Sequence, residues 1–311
     1  MTAATAARRD TAKPFEEQFF TARDGLKLYA RCYPAAAPRS SRPVVCLAGL
    51  TRNSRDFHDL AVALSSHPEH PRVVYTLDTR GRGRSEFDKD WTNYAVPIEL
   101  QDVIDFLIVA GLEEVSLVGT SRGGLIGMLL GAVMPGAIGA VVLNDIGPVI
   151  EQQGLARIAG YVGRAPLPHS WTDAMRMVRD MNKRHFPSVS DVQWEEVARQ
   201  LFNEVNGKPA PGYDPQLSRS LSVLDGTAPQ LWPQFEALKR VPVLVLRGEN
   251  SDILSDATVA EMHRRHPALI SLVVPEQGHA PLLKDRMTLE AVRRFLDAAE
   301  TGNVVTGIGV A

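Results

Sequence analysis

The chain has 311 residues, 44% of them hydrophobic and 23% charged, enough for one large buried core plus an insertion. A formal net charge of −2, with basic residues scattered through the chain, leaves no electrostatic footprint for nucleic acid. Only two cysteines are present, Cys32 and Cys46, each inside an apolar run; the count excludes a disulfide framework or a Cys-rich metal site, and buried free thiols suit a reducing, cytoplasmic location.

Residues 1–15 contain Arg8 and Arg9 but no apolar segment of signal-peptide length, and are expected to be a disordered tail. Glu16 to Ala22 and Leu26 to Tyr33 read as strands joined at Arg23-Asp24-Gly25, an antiparallel opening ribbon. Val44 to Leu50 is a continuous apolar run of the kind buried on both faces of a parallel sheet, and Asn53 or Ser54 then caps a helix to about Ser66. Arg72 to Leu77 is the next strand. It ends in Asp78-Thr79-Arg80-Gly81-Arg82-Gly83-Arg84-Ser85, which the flanking Asp78, Glu86 and Asp88 mark as a loop held by Asp–Arg hydrogen bonds rather than a nucleic-acid surface. Val96 to Ala110 is a helix.

Val115 to Thr120 is a short apolar strand running into Gly119-Thr120-Ser121-Arg122-Gly123, a Gly-x-Ser-x-Gly turn followed by the small-residue helix from Leu125 to Ala132. Glycines two residues either side of the serine permit a tight turn that lifts its hydroxyl into reach, and the helix directs its positive end toward chemistry there. Ser121 is therefore the candidate nucleophile. Residues 125–143 approach membrane length, yet Pro135-Gly136 divides them, so they read as helix, turn and buried strand, with no membrane partner expected.

The strand Ala137 to Leu143 ends at Asn144-Asp145, and from about residue 148 to 233 the strand rhythm stops. Glu151 to Gly160, Trp171 to Lys183 and Val192 to Asn206 read as amphipathic helices of an inserted lid. Its Trp171, Trp194, Trp232, Met175, Met177 and Met181 fit internal core better than ligand surface. Strands resume at Val241 to Arg247, followed by Gly248-Glu249-Asn250-Ser251-Asp252, a helix to about His266, the strand Ala268 to Val274, Gly278-His279-Ala280-Pro281 and a helix from Met287 to Ala299. Residues 301–311 read as a loose tail. Alternating strands and helices predict an α/β fold with a mostly parallel sheet, its core formed by residues 16–147 and 234–300.

In such a sheet, reactive groups gather at the carboxyl ends of the strands. A serine hydroxyl needs a neutral imidazole to take its proton and a carboxylate to orient that imidazole. Ser121, His279 and Asp252 supply that set, in the chain order serine, aspartate, histidine. Asp145 also ends a strand and is the alternative carboxylate; it otherwise anchors the lid.

The ordered pieces Asp78-x-Arg80-Gly81-x-Gly83-x-Ser85, Tyr94 with Asp102, Gly119-Thr-Ser-Arg-Gly123, Gly248-Glu-Asn-Ser-Asp252 and Gly278-His279-Ala-Pro resemble the α/β-hydrolase superfamily, in its lidded esterase-like and carbon–carbon-hydrolase-like branch, over residues 16 to 299. The resemblance implies an eight-stranded sheet with helices on both faces, catalysis without a cofactor or metal, and an oxyanion hole from the backbone N–H groups of Leu50 and Arg122. Where the family often has His-Gly, this chain has Ala48-Gly49-Leu50, which leaves the support of that loop open.

Arg122 follows the nucleophile, where relatives often carry an apolar side chain. Its guanidinium would either bind a substrate carboxylate or pair with Asp145 or another local carboxylate to hold the turn. Arg52 is a second candidate for substrate binding. The expected activity is hydrolysis of a small carboxylic ester, with an anionic group if Arg122 binds one, through an acyl-enzyme on Ser121. Carbon–carbon, lactone or amide hydrolysis on the same machinery, acyl transfer, and a slow ligand receptor on this fold are the alternatives. The expected partner is a small-molecule substrate, with self-association into a homo-oligomer left open.

Overall fold

The chain enters through a ribbon in which β1 (Glu16–Thr21) and β2 (Lys27–Tyr33) pair antiparallel across the Asp24-Gly25 turn, where Gly25 adopts φ 90°. The computed structural model describes residues 13–37, 41–222 and 229–302. The expected tails therefore fall largely outside the described residues; Phe15, assigned to the first of them, packs its ring 5.3 Å from that of Tyr33.

After the ribbon come β3 (Val44–Leu47), α1 (His58–Ser65), β4 (Val74–Asp78), α2 (Val96–Val109), β5 (Val115–Thr120), α3 (Arg122–Val133) and β6 (Ile138–Asn144). The inserted stretch holds α4 (Gln152–Tyr161), α5 (Trp171–Asn182), α6 (Asp191–Leu201), a two-stranded hairpin of β7 (Asn203–Val205) and β8 (Lys208–Ala210), and α7 (Leu217–Ser222). The chain then returns through α8 (Trp232–Ala237), β9 (Val243–Gly248), α9 (Asp256–Arg265), β10 (Ile270–Val274) and α10 (Arg286–Thr301).

One sheet of eight strands runs in the order β1-β2-β4-β3-β5-β6-β9-β10, with β1, β2 and β4 antiparallel and the remaining pairs parallel. The inner strands β3, β6 and β9 are buried along their whole length, because helices cover both faces; this is why they read as unbroken apolar runs. On one face Val103, Phe106, Ile126 and Leu130 of α2 and α3 pack with Phe235 of α8; on the other, Leu60 and Leu64 of α1 pack with Val292 and Phe295 of α10.

Several boundaries differ from expectation, and two of the differences concern the insertion. The helix expected to run to Asn206 stops at Leu201, because Asn206 (φ 51°) and Gly207 (φ 74°) make a tight hairpin turn. Trp232, placed in the insertion, opens a helix that already belongs to the main core. No helix among the described residues is long and apolar enough to cross a membrane.

The start of α3 lies so close to β3 that a Cβ on Gly123 would sit 2.1 Å from the Leu47 carbonyl oxygen, whereas one on Gly136 would meet nothing within 4 Å. Gly123→Ala is therefore expected to lower stability by about 3 kcal/mol or more, and Gly136→Ala to stay within about 0.5 kcal/mol of the parent, in thermal or urea unfolding. Equal effects would contradict the close approach.

Candidate active site

Ser121 sits at the end of β5 with φ 50° and ψ −117°, a backbone region that residues bearing a Cβ seldom adopt. The neighbouring chain leaves no alternative: a Cβ on Gly119 would fall 2.6 Å from the Gly124 Cα. The Ser121 N–H donates to the Asn144 carbonyl at 3.0 Å, tying the turn to the next strand, and the Ser121 carbonyl accepts from the Gly124 N–H at 2.8 Å as α3 begins.

The hydroxyl thus placed meets the imidazole that follows β10. Ser121 Oγ lies 2.8 Å from His279 Nε2, and His279 Nδ1 lies 2.8 Å from Asp145 Oδ2. Asp145, at φ 54° after β6, is fully buried. Its Oδ1 accepts from the Gly248 N–H at 2.8 Å and its Oδ2 from the Ser251 hydroxyl at 2.6 Å. An ionised carboxylate can only accept, so His279 Nδ1 carries the proton and Nε2 is left to accept from Ser121.

Asp145 therefore replaces Asp252 as the carboxylate that meets His279. The Asp252 side chain turns toward α4 and takes a two-pronged contact from Arg157, with Nε to Oδ2 at 2.5 Å and Nη2 to Oδ1 at 2.9 Å. Burial raises the Asp252 carboxyl, but the Arg157 contact, with smaller contributions from His185 and His279, holds the group below its ordinary value. The segment from Gly248 to Asp252 does serve the histidine, but through Gly248 and Ser251, which fix Asp145. Ser251 was visible in the Gly-Glu-Asn-Ser-Asp match; its role was not, because only the fold shows which strand end faces the imidazole.

A cavity of about 490 Å³ opens over Ser121 and His279. The inserted stretch supplies much of its wall, including Met177 and Trp194, which thus face ligand space as well as helix packing, and the more exposed Met181. Four polar side chains mark one part of that wall: Arg52 with its neighbour Asp56, and Arg157 and Tyr161. Arg52 pairs with Asp56 through Nε and Nη2, both at 2.7 Å. Burial raises the Tyr161 phenol, while both guanidiniums act on it electrostatically in the opposite direction.

Arg122, expected as a substrate-binding candidate, is not among the residues that line the cavity. Its Nε donates to Glu99 Oε2 at 2.5 Å and its Nη2 to the Tyr94 carbonyl at 2.9 Å, so the guanidinium braces the turn from below, with Glu99 rather than Asp145 as partner. Of the two amides expected to hold an oxyanion, that of Leu50 belongs to a loop pressed against the serine: a Cβ on Gly49 would lie 3.6 Å from the Ser121 Cβ. The Arg122 amide is the first of α3, where an N–H has no partner within its own helix. The Arg-rich loop after β4 is held as expected, with Arg80 gripping Asp102 at 2.6 and 2.7 Å. Among the described residues, no group of three or more His, Cys, Asp or Glu is placed to hold a metal ion.

Comparison with known proteins agrees with this architecture. Residues 44–293 match the model of the alpha/beta hydrolase family. A 3-hydroxybutyrate-oligomer hydrolase of Cupriavidus necator is 35% identical over 275 residues, spanning 84% of this chain and 90% of that protein. A 2-(acetamidomethylene)succinate hydrolase of Mesorhizobium japonicum is 26% identical over 254 residues, spanning 80% and 86%. The crystal structure of an alpha/beta hydrolase from Novosphingobium aromaticivorans superposes with a TM-score of 0.85 at 38% identity, covering 91% of this chain and 98% of that one. With its eight-stranded sheet, its Gly-x-Ser-x-Gly turn and these relatives, the chain is an enzyme of the alpha/beta hydrolase family.

Proposed function

We propose that the protein is a serine hydrolase that cleaves a small carboxylic ester bearing a carboxylate, through an acyl-enzyme on Ser121. The observation that carries this reading is the hydrogen-bonded series Ser121, His279, Asp145 at the floor of a cavity with arginines in its wall. Ser121 Oγ attacks the acyl carbon as its proton passes to His279 Nε2, and the imidazolium is stabilised by Asp145. The amides of Leu50 and Arg122 receive the oxyanion. Collapse expels the alcohol, which takes the proton from His279, and a water molecule activated by the same imidazole then releases the acid. The inserted stretch acts as a lid that shields these steps from bulk water.

The carboxylate preference rests on Arg52 and Arg157, each of which keeps Nη1 outside its own ion pair. It also fits two relatives: a 3-hydroxybutyrate oligomer is an ester ending in a carboxylate, and a substituted succinate is a dicarboxylate.

Three outcomes are expected. A fluorophosphonate probe labels Ser121 in peptide mapping, and Ser121→Ala abolishes both labelling and short-chain ester turnover; turnover retained in that variant would contradict the assignment. Asp145→Asn lowers kcat by about 10⁴, the cost of a wrongly presented imidazole, while Asp252→Asn stays within about tenfold of the parent; the reverse ranking would return the acid role to Asp252. In Arg52→Ala and Arg157→Ala, KM for a carboxylate-bearing ester rises by about tenfold or more, as for a lost charged hydrogen bond, with little change for a neutral ester of equal length. Equal losses on both esters would remove the anion preference.

A further inference from the structure

Glu99, in the first turn of α2, is fully buried and divides its two oxygens between two arginines. Oε1 accepts from Arg82 Nη1 at 2.6 Å, and Oε2 accepts from Arg122 Nε at 2.5 Å. Arg82 is itself fully buried, and its Nε donates to the Leu50 carbonyl at 2.7 Å. One carboxylate therefore ties together the two residues whose amides the proposed mechanism assigns to the oxyanion: Leu50 through Arg82, and Arg122 directly. The bridge lies below the turn, and none of Arg82, Glu99 and Arg122 lines the cavity.

Stability alone accounts poorly for this arrangement. Burying two guanidiniums around one carboxylate carries a desolvation cost that well-packed apolar side chains avoid. The set is not even fully satisfied, since Arg82 Nη2 is buried without a partner. Burial by itself would raise the Glu99 carboxyl, but Arg122 and Arg82 more than offset it, so the group remains ionised. What the bridge supplies is geometry. Leu50 lies in a loop whose neighbour at position 48 is alanine, and Arg82, in the loop after β4, reaches over to it while anchored on Glu99 in the first turn of α2.

We infer that Arg82, Glu99 and Arg122 form a buried brace that sets the spacing of the oxyanion-hole amides of Leu50 and Arg122, making Glu99 a positioning residue for the reaction. This rests on the serine-hydrolase reading above. Loosening the brace costs transition-state stabilisation and leaves substrate binding nearly intact.

The test uses Arg122→Met and Arg82→Lys. The first leaves Arg82 and Glu99 as a neutral pair, so the fold is not burdened with an unpaired charge. The second keeps a cation opposite Glu99 but cannot span both Glu99 and the Leu50 carbonyl. Each variant, checked for cooperative unfolding, is assayed on a p-nitrophenyl ester and on the matching thionoester, whose developing negative charge on sulfur the hole amides stabilise weakly. Both variants should lose about 10- to 10²-fold in kcat, short of the 10²–10³ typical of removing a donor outright, with KM within about threefold of the parent. The preference for the oxo over the thiono ester should shrink by a similar factor. If oxo and thiono rates fall together, or if both variants fold and keep the parent kcat and preference, the brace does not set the hole. Failure of the underlying reading shows separately, as ester turnover that survives in Ser121→Ala.

Discussion

The close approach of β3 to the first turn of α3 is the constraint on which the site depends. Where Gly123 passes the Leu47 carbonyl there is no room for a side chain, so the chain must leave β5 through a tight turn and place Ser121 at positive φ. The same contact brings the loop after β3 beside the serine. The candidate nucleophile and the candidate oxyanion amides thus arise from one packing event between a buried strand and a helix that begins with small residues.

Around that contact, charge is managed by burial and pairing. Asp145 lies in the interior with a backbone N–H, a hydroxyl and an imidazole as donors, which is how a carboxylate remains tolerable there. Arg82, Glu99 and Arg122 follow the same logic beneath the turn. At the cavity wall the pairs are less buried: Arg52 with Asp56, and Arg157 with Asp252 across the junction between the insertion and the β9 loop. On the proposed reading, the cations that meet the substrate are thereby held in place before it arrives.

Most of the fold was legible because its inner strands are buried on both faces and its helices are amphipathic or small-residue-rich, patterns that a linear reading captures. Ser121 and His279 stood out because each sits in a short motif at a strand end. The carboxylate did not, since Asp145 and Asp252 both follow strands and only the third dimension decides which reaches the imidazole; Asp252 is claimed by Arg157, ninety-five positions away. Arg122 likewise presented a cation without its partner, because Glu99 lies on another helix. The Asn206-Gly207 turn is a local signal that lies inside a stretch whose apolar spacing also fits a continuous helix.

The central claim, covalent catalysis by Ser121 under the control of His279 and Asp145, is tested most directly by rapid-quench intact-mass spectrometry during turnover of an activated ester. The account predicts a transient gain of one acyl group, mapping to the peptide that contains Ser121, formed no more slowly than the alcohol is released and discharged as the acid appears. Full turnover with conditions resolved enough to see such a species, yet no adduct at any time or an adduct mapping elsewhere, would contradict it.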